Sequence, residues 1–309
     1  MHSPLIGHPQ RLEPFKSFLS VIAKTKDPIL ISGPTGSGKK RIIQFLVQNG
    51  SFNQEPIFFI NTLQFSEALW VQVQGVLKAQ GTLVIEGIEH LPLILQSKLK
   101  NWLAGQGPLL SEKGVIPTDW RIMGTCLSPE EVWEDLVYDF PYHIQLPSLN
   151  EVAEDIPYHI KYFLRDKSIR YVRYFFLLKT FFHKWQGNLR ELEHYLIQAM
   201  SYYCSLGPSS GLNGGEEVFG EKKMRYYQDI LKGEWWYYPY RFPPDFTRYL
   251  ATILNKTDFR KKIIEENQVI PLLDNEPGFL VFDLTDPDFE KKAIQVYYTF
   301  SDYLNQQSK

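Results

Sequence analysis

The chain has 309 residues, 44% hydrophobic and 22% charged, enough for about two domains at roughly 100–200 residues each and for a sizeable core. A net charge of −2, from 33 basic against 35 acidic residues, excludes a uniformly basic protein that coats nucleic acid. Two cysteines, Cys126 and Cys204, exclude a disulfide scaffold or a four-cysteine zinc site and fit a reducing compartment.

The N-terminus lacks the apolar stretch of a signal peptide, and no run approaches the roughly 20 apolar residues of a membrane helix. A cytoplasmic protein with no membrane contact is expected. Apolar runs at 28–32, 57–60, 82–85, 120–124 and 143–146 read as five strands. Between them, 41–48, 66–79 and 93–104 read as helices, the first ended by Asn49-Gly50. Strands alternating with helices predict an α/β fold with a parallel sheet covered on both faces. From Ser148 the pattern turns helical, with helices expected from Asn150 or Glu151 to Leu164, from Ile169 to Phe182 and from Asn188 to Tyr203. Gly207–Gly215 is a linker by composition. Beyond it, helices are expected over 221–231, 244–254 and 286–304, the last with Pro287 in its first turn, and a strand over 278–283. The division is therefore 1–147, 148–206, the linker 207–215 and a region 216–309 of unassigned function.

Gly33-Pro34-Thr35-Gly36-Ser37-Gly38-Lys39 matches GxxxxGK, between a predicted strand and a predicted helix. In such a loop, backbone N–H groups and the start of the helix face phosphate oxygens, and the lysine reaches the terminal phosphates. The motif expects Ser or Thr next, to ligate magnesium. Here Lys40 follows, which cannot ligate a cation; it lies near phosphate or faces water.

Several segments together resemble the AAA+ ATPase domains of bacterial enhancer-binding proteins that activate sigma-54 RNA polymerase. Leu5-Ile6-Gly7 looks like the family's opening motif, and Gly33–Lys39 like its Walker A loop. Residues 81–92, GTLVIEGIEHLP, resemble Walker B, usually GTLFLDEIGELP, and Gln96–Leu99 continue the match. Arg121–Thr125 look like the sensor I strand. Leu146–Leu149 with Glu154–Ile156 resemble the start of the lid, and Trp185–Glu193, WQGNLRELE, resembles the sensor II helix WPGNVRELE. The resemblance spans residues 4–203. It implies an AAA+ P-loop sheet with a helical lid, holding ATP or ADP through Gly33–Lys39, Lys40, Thr125 and the sensor II residue Arg190, with Glu86 supporting Mg2+. Arg190 read alone is also an ordinary salt-bridge residue on a helix.

The departures from the family are as informative. The Walker B Asp-Glu pair falls on Glu86 and Gly87, so the acid that polarises the attacking water is missing. Glu89, two residues on, either substitutes for it or is a surface carboxylate. The two arginine-finger positions fall on Trp133 and Asp139; such an arginine contributes about 10³–10⁵ in rate. No GAFTGA string, the family's sigma-54 contact, is present, and Lys39 and Glu86 are only 47 positions apart. Cys126 stands where sensor I usually has Asn and is assigned no chemistry. No C-terminal helix-turn-helix is recognisable.

The remaining features carry less. His90, His143, His159, His183 and His194 lack metal-ligand spacing. Residues 207–309 carry 13 basic and 16 acidic residues, so DNA binding is not indicated. Trp235–Pro244 reads as a stacking platform, a partner-docking surface or a small core, and Arg260-Lys261-Lys262 as a solvated helix face. The expected function is an ATP-binding, degenerate AAA+ protein, regulatory or scaffold in role, with weak or no hydrolysis. Its partners would be other subunits, its own copies or another AAA+ chain. The rivals are an active subunit in a mixed ring and a nucleotide-free interaction module.

Overall fold

The computed structural model describes residues 5–51, 55–64, 81–104, 120–165, 171–173, 177, 180–205, 218–219, 270–271 and 280–307. They form two units, the described residues of Met1–Leu5, Pro9–Glu151 and Gly187–Leu189 in one, and those of Ile6–His8, Val152–Gln186 and Arg190–Lys309 in the other.

The first unit is built on a five-stranded parallel sheet. Its strands are β1 (Ile29–Ser32), β2 (Ile57–Asn61), β3 (Gly81–Glu86), β4 (Trp120–Cys126) and β5 (Tyr142–Gln145), in the order β2-β3-β4-β1-β5. All five match apolar runs in the sequence. Every residue of β1 and β4 is buried, whereas the edge strands β2 and β5 expose residues. That gradient is what a sheet covered on both faces requires, and it explains why the central strands read as unbroken apolar runs. The unit's helices among the described residues are α1 (Pro9–Ile22), α2 (Lys39–Gln48), α3 (Leu93–Leu103) and the short α4 (Glu134–Tyr138). One core joins α1 and α2 to the sheet through Leu19, Ile22, Ile43, Leu46, Ile31 and Met123. The other joins α3 and α4 through Leu99, Trp102, Leu136, Leu83 and Ile122. The AAA+ P-loop architecture expected from the sequence is the one observed.

The second unit contains α5 (Ile156–Leu164), β6 (Tyr171–Arg173), most of α6 (Asn188–Ser205), β7 (Val218–Phe219), β8 (Ile270–Pro271), β9 (Leu280–Asp283) and α7 (Phe289–Gln307). Its strands pair in the order β7-β6-β9-β8. Ile156, Ile160, Val172, Trp185, Leu196, Phe282, Phe289 and Val296 are buried there. Lys161 on α5 pairs with Glu290 on α7 at 3.0 Å.

Three expectations are corrected. Of the helix expected over 169–182, the described residues 177 and 180–182 are helical, but Tyr171–Arg173 form a strand paired antiparallel with β9, which their aromatic and β-branched side chains suit better than a helix. The helix expected from residue 150 or 151 begins at Ile156, after a 3₁₀ turn at Ala153–Asp155. Pro157 explains the late start, since proline is tolerated in the first turn and not in the interior. The last helix begins at Phe289, so Pro287 lies in the turn before it. The expected helices at 66–79, 221–231 and 244–254, the linker 207–215, the aromatic run 235–244 and the basic run 260–262 lie outside the described residues.

Candidate functional site

The glycine loop joins the buried end of β1 to α2. Gly33, Gly36 and Gly38 have φ of 148°, 78° and 104°, and L side chains rarely adopt such values. At Gly33 space also excludes a side chain, since a Cβ would lie 2.8 Å from the Leu146 carbonyl oxygen. The Gly33 N–H is fixed to the end of β4, donating to Cys126 O at 3.3 Å and Leu127 O at 3.1 Å. Lys39 turns back over the loop, its ammonium donating to Gly33 O and, at 3.2 Å, to Pro34 O. Gly38 is the N-cap of α2 and offers no side chain to the first N–H groups of that helix. These orphan donors and the helix dipole form an anion-binding end. The Ser37 hydroxyl is buried and has no hydrogen-bond partner among the described residues. Lys40 is exposed, its ammonium 5.7 Å from the Phe59 ring centroid.

A clamp on the loop went unrecognised in the sequence. Asn188, buried and left-handed at φ 53°, donates from Nδ2 to Thr35 O at 2.9 Å and accepts the Leu149 N–H on Oδ1 at 2.7 Å. The Leu189 N–H donates to Gly36 O at 3.1 Å. Two consecutive loop carbonyls are thus held by residues far along the chain. The only signal was the Gly-Asn pair before a helix, which reads as capping chemistry. Arg190 follows Leu189 and is exposed, in the second unit.

Glu86 ends β3 beside Thr125 of β4 and Asn61 of β2. The Thr125 hydroxyl and carbonyl share the Gly87 N–H, at 3.3 and 3.0 Å. Thr62, which carried no sequence signal, donates its hydroxyl proton to Glu86 O and Gly87 O. Gly87 is left-handed, at φ 80° and ψ 51°, and opens a 3₁₀ turn over Ile88–His90. The Glu89 side chain is only 5% exposed, so it is no surface carboxylate. Its Oε1 accepts the Leu127 N–H at 2.9 Å.

Trp133 and Asp139, on which the resemblance places the two arginine-finger positions, cap the two ends of α4. Trp133 packs against the core under the Lys100 ammonium, 5.1 Å from the ring centroid. Cys126 is buried, and its thiol is pushed up to about 12, first by burial and then by Glu89, with Lys39 opposing; it stays neutral and unreactive. Among the described residues no group of three or more His, Cys, Asp or Glu is placed to hold a metal, and no helix is long and apolar enough to cross a membrane.

Residues 6–111 match the sigma-54 interaction domain. The chain is 28% identical over 264 residues to the C4-dicarboxylate transport transcriptional regulatory protein DctD of Rhizobium meliloti, covering 74% of this chain and 57% of DctD. It is 30% identical over 207 residues to an uncharacterised protein in the HyuA 5′ region of a Pseudomonas species, covering 56% of this chain and 70% of that one. To the regulator NtrC of Azospirillum brasilense it is 24% identical, over 65% of this chain and 48% of NtrC. The chain thus spans about half the length of the regulators it matches. NtrX of Brucella abortus, in a crystal structure with ADP, shares the fold with a TM-score of 0.57 and 19% identity, over 85% of this chain and 63% of NtrX.

Proposed function

From a chain that belongs to the sigma-54 interaction domain family, we propose an ATP-binding AAA+ subunit that regulates or scaffolds an assembly and hydrolyses ATP weakly. The observation that carries the reading is the glycine loop, with three left-handed glycines, Lys39 turned over it and an uncapped helix start behind it. NtrX has been crystallised with ADP and with ATP, which supports nucleotide binding at the same fold. In this reading the adenine nucleotide lies on Gly33–Lys39, with Lys40 at its edge and Thr125 beneath. The lid is residues 148–206 and the nucleotide subdomain 1–147.

Magnesium is a hard cation that takes oxygen ligands. Glu86 supplies one such ligand and would hold the ion. Lys40, which has no oxygen in its side chain, supplies none. The protein's share of a magnesium site is therefore thin, and the ion would rest mainly on phosphate oxygens and water. When bound it would neutralise charge on the phosphates.

Weak turnover follows from the residues that replace the catalytic ones. Neither Trp133 nor Asp139 carries a positive charge to place on a neighbour's phosphate, and Gly87 has no carboxylate. With the GAFTGA loop missing, we assign the chain to contacts with its own copies or another AAA+ chain rather than to remodelling of sigma-54 polymerase. The test is equilibrium binding of a fluorescent ATP analogue, with phosphate release followed in the same samples. Wild type binds and releases phosphate slowly; Lys39→Ala loses on the order of tenfold or more in affinity, as loss of a charge-assisted contact predicts. Absence of binding in wild type would leave an interaction module without nucleotide.

A further inference from the structure

We propose that Glu89 is the general base of this site, taking the role that Gly87 cannot fill. The proposal rests on the ATP-binding reading above and identifies the group through which the remaining hydrolysis runs.

The turn after β3 decides where Glu89 goes. Gly87 reverses the chain in the left-handed region, and Ile88 is driven into the core, fully buried, against Gly124, where even a Cβ would lie 2.1 Å from Ile88 Cδ1. With Ile88 anchored inward, Glu89 is turned toward the C-terminal end of β4. One carboxylate oxygen, Oε1, accepts the Leu127 N–H, and His90 Nε2 lies 3.9 Å from that same oxygen. The other, Oε2, is buried and has no hydrogen-bond partner among the described residues. An unpartnered carboxylate oxygen is costly to bury and calls for an occupant.

The neighbouring groups point to what that occupant is. Leu127 gives its N–H to Glu89 and its carbonyl to the Gly33 N–H, at 2.9 and 3.1 Å. Gly33 in turn receives the Lys39 ammonium on its own carbonyl. A single residue, Leu127, therefore separates the Glu89 carboxylate from the glycine loop. The charges of Glu89 and Lys39 both reach the Cys126 thiol, with opposite sign. A carboxylate tied at one oxygen and unpartnered at the other, one residue from the glycine loop, is placed to hold and polarise a single water.

The step balances without a further reactant. The water oxygen forms the bond to the γ-phosphorus, and the bond from that phosphorus to the β,γ-bridging oxygen breaks, its electron pair leaving with ADP. The water proton passes to Glu89 Oε2 and from there to the product phosphate.

The experiment measures two quantities on the full chain, wild type, Glu89→Gln and Lys39→Ala. These are the dissociation constant of a fluorescent ATP analogue and, with protein in excess, single-turnover cleavage of γ-labelled ATP with magnesium. Glu89→Gln keeps an oxygen for the Leu127 N–H, so its ATP affinity stays within about threefold of wild type while cleavage falls on the order of 100-fold, as loss of a general base predicts. Bound nucleotide extracted from it is ATP, where wild type yields ADP. Should Glu89→Gln fail to fold, Glu89→Asp, which keeps the charge and draws it back by one methylene, is expected to slow cleavage at least tenfold with binding retained. Cleavage at the wild-type rate in Glu89→Gln or, failing that variant, in Glu89→Asp overturns the assignment. So does a wild type that binds ATP and never cleaves it, an outcome that leaves the binding reading standing. A wild type that binds no ATP overturns both.

Discussion

At Gly87 a Cβ would lie 2.9 Å from Thr62 Oγ1 and 3.1 Å from His90 Cδ2, on a backbone at φ 80°. Restoring the family's acid there therefore does not restore the family's site. Gly87→Glu is expected to cost about 1–3 kcal/mol, the range for a side chain forced into a sparsely populated conformation, and to leave phosphate release no faster. Denaturant unfolding and a release assay check both halves. The sequence shows that the Walker B acid is absent from 87. It does not show why, because the reason is a turn angle and the Thr62 hydroxyl, 25 residues earlier in the chain. Cys126 offers a test of the burial around the site. Its folded pKa, about 12, stands above the ordinary 9.0, so the folded state holds the proton across that interval. The stabilisation is complete below pH 9 and is lost as pH rises toward 12. In a Cys204→Ser background, iodoacetamide at pH 8.5 should leave Cys126 unmodified in the native protein and label it after unfolding.

Arg121 shows how one element fixes another. Buried within β4, it donates to the carbonyls of Ile22, at 2.9 Å, and Ala23, at 3.3 Å, where α1 ends. Its guanidinium is pushed down to about 10 by burial, with Asp27 opposing, so it stays charged at neutral pH and caps the helix. Arg121→Met would take the guanidinium from both carbonyls, Ile22 O keeping the Thr25 N–H and hydroxyl, and is expected to cost about 1–3 kcal/mol, read as a lower urea midpoint at unchanged slope. The elements of the sheet were legible because β1, β3 and β4 are buried, largely apolar runs. Arg121 hid within such a run and read only as part of a sensor strand. Tyr171–Arg173 was misread because three residues of strand cannot establish a period, and the partner that makes them a strand, β9, lies more than a hundred residues later.

Across the whole molecule, the site is assembled from chain positions that no local pattern connects. The loop, the strand ends and the acids were legible as motifs in order along the sequence. The clamp was not, because Asn188 acts by reaching Thr35 and Leu149 at once. Asn188→Gly removes both side-chain bonds and keeps the left-handed backbone free of strain. It is expected to weaken ATP-analogue binding roughly 3- to 10-fold, the worth of one or so neutral hydrogen bonds; unchanged affinity would reduce the clamp to a structural tie. The same contact gives the site a schedule during synthesis. Thr35 leaves the ribosome 153 residues before Asn188, and at 5–20 residues per second that is a wait of roughly 8–30 s. By then all five strands of the sheet have been made, while the loop still lacks its last two hydrogen bonds. A nascent chain stalled short of Asn188 would carry a completed sheet and an unfinished glycine loop, so under the proposed reading ATP binding would come late in translation.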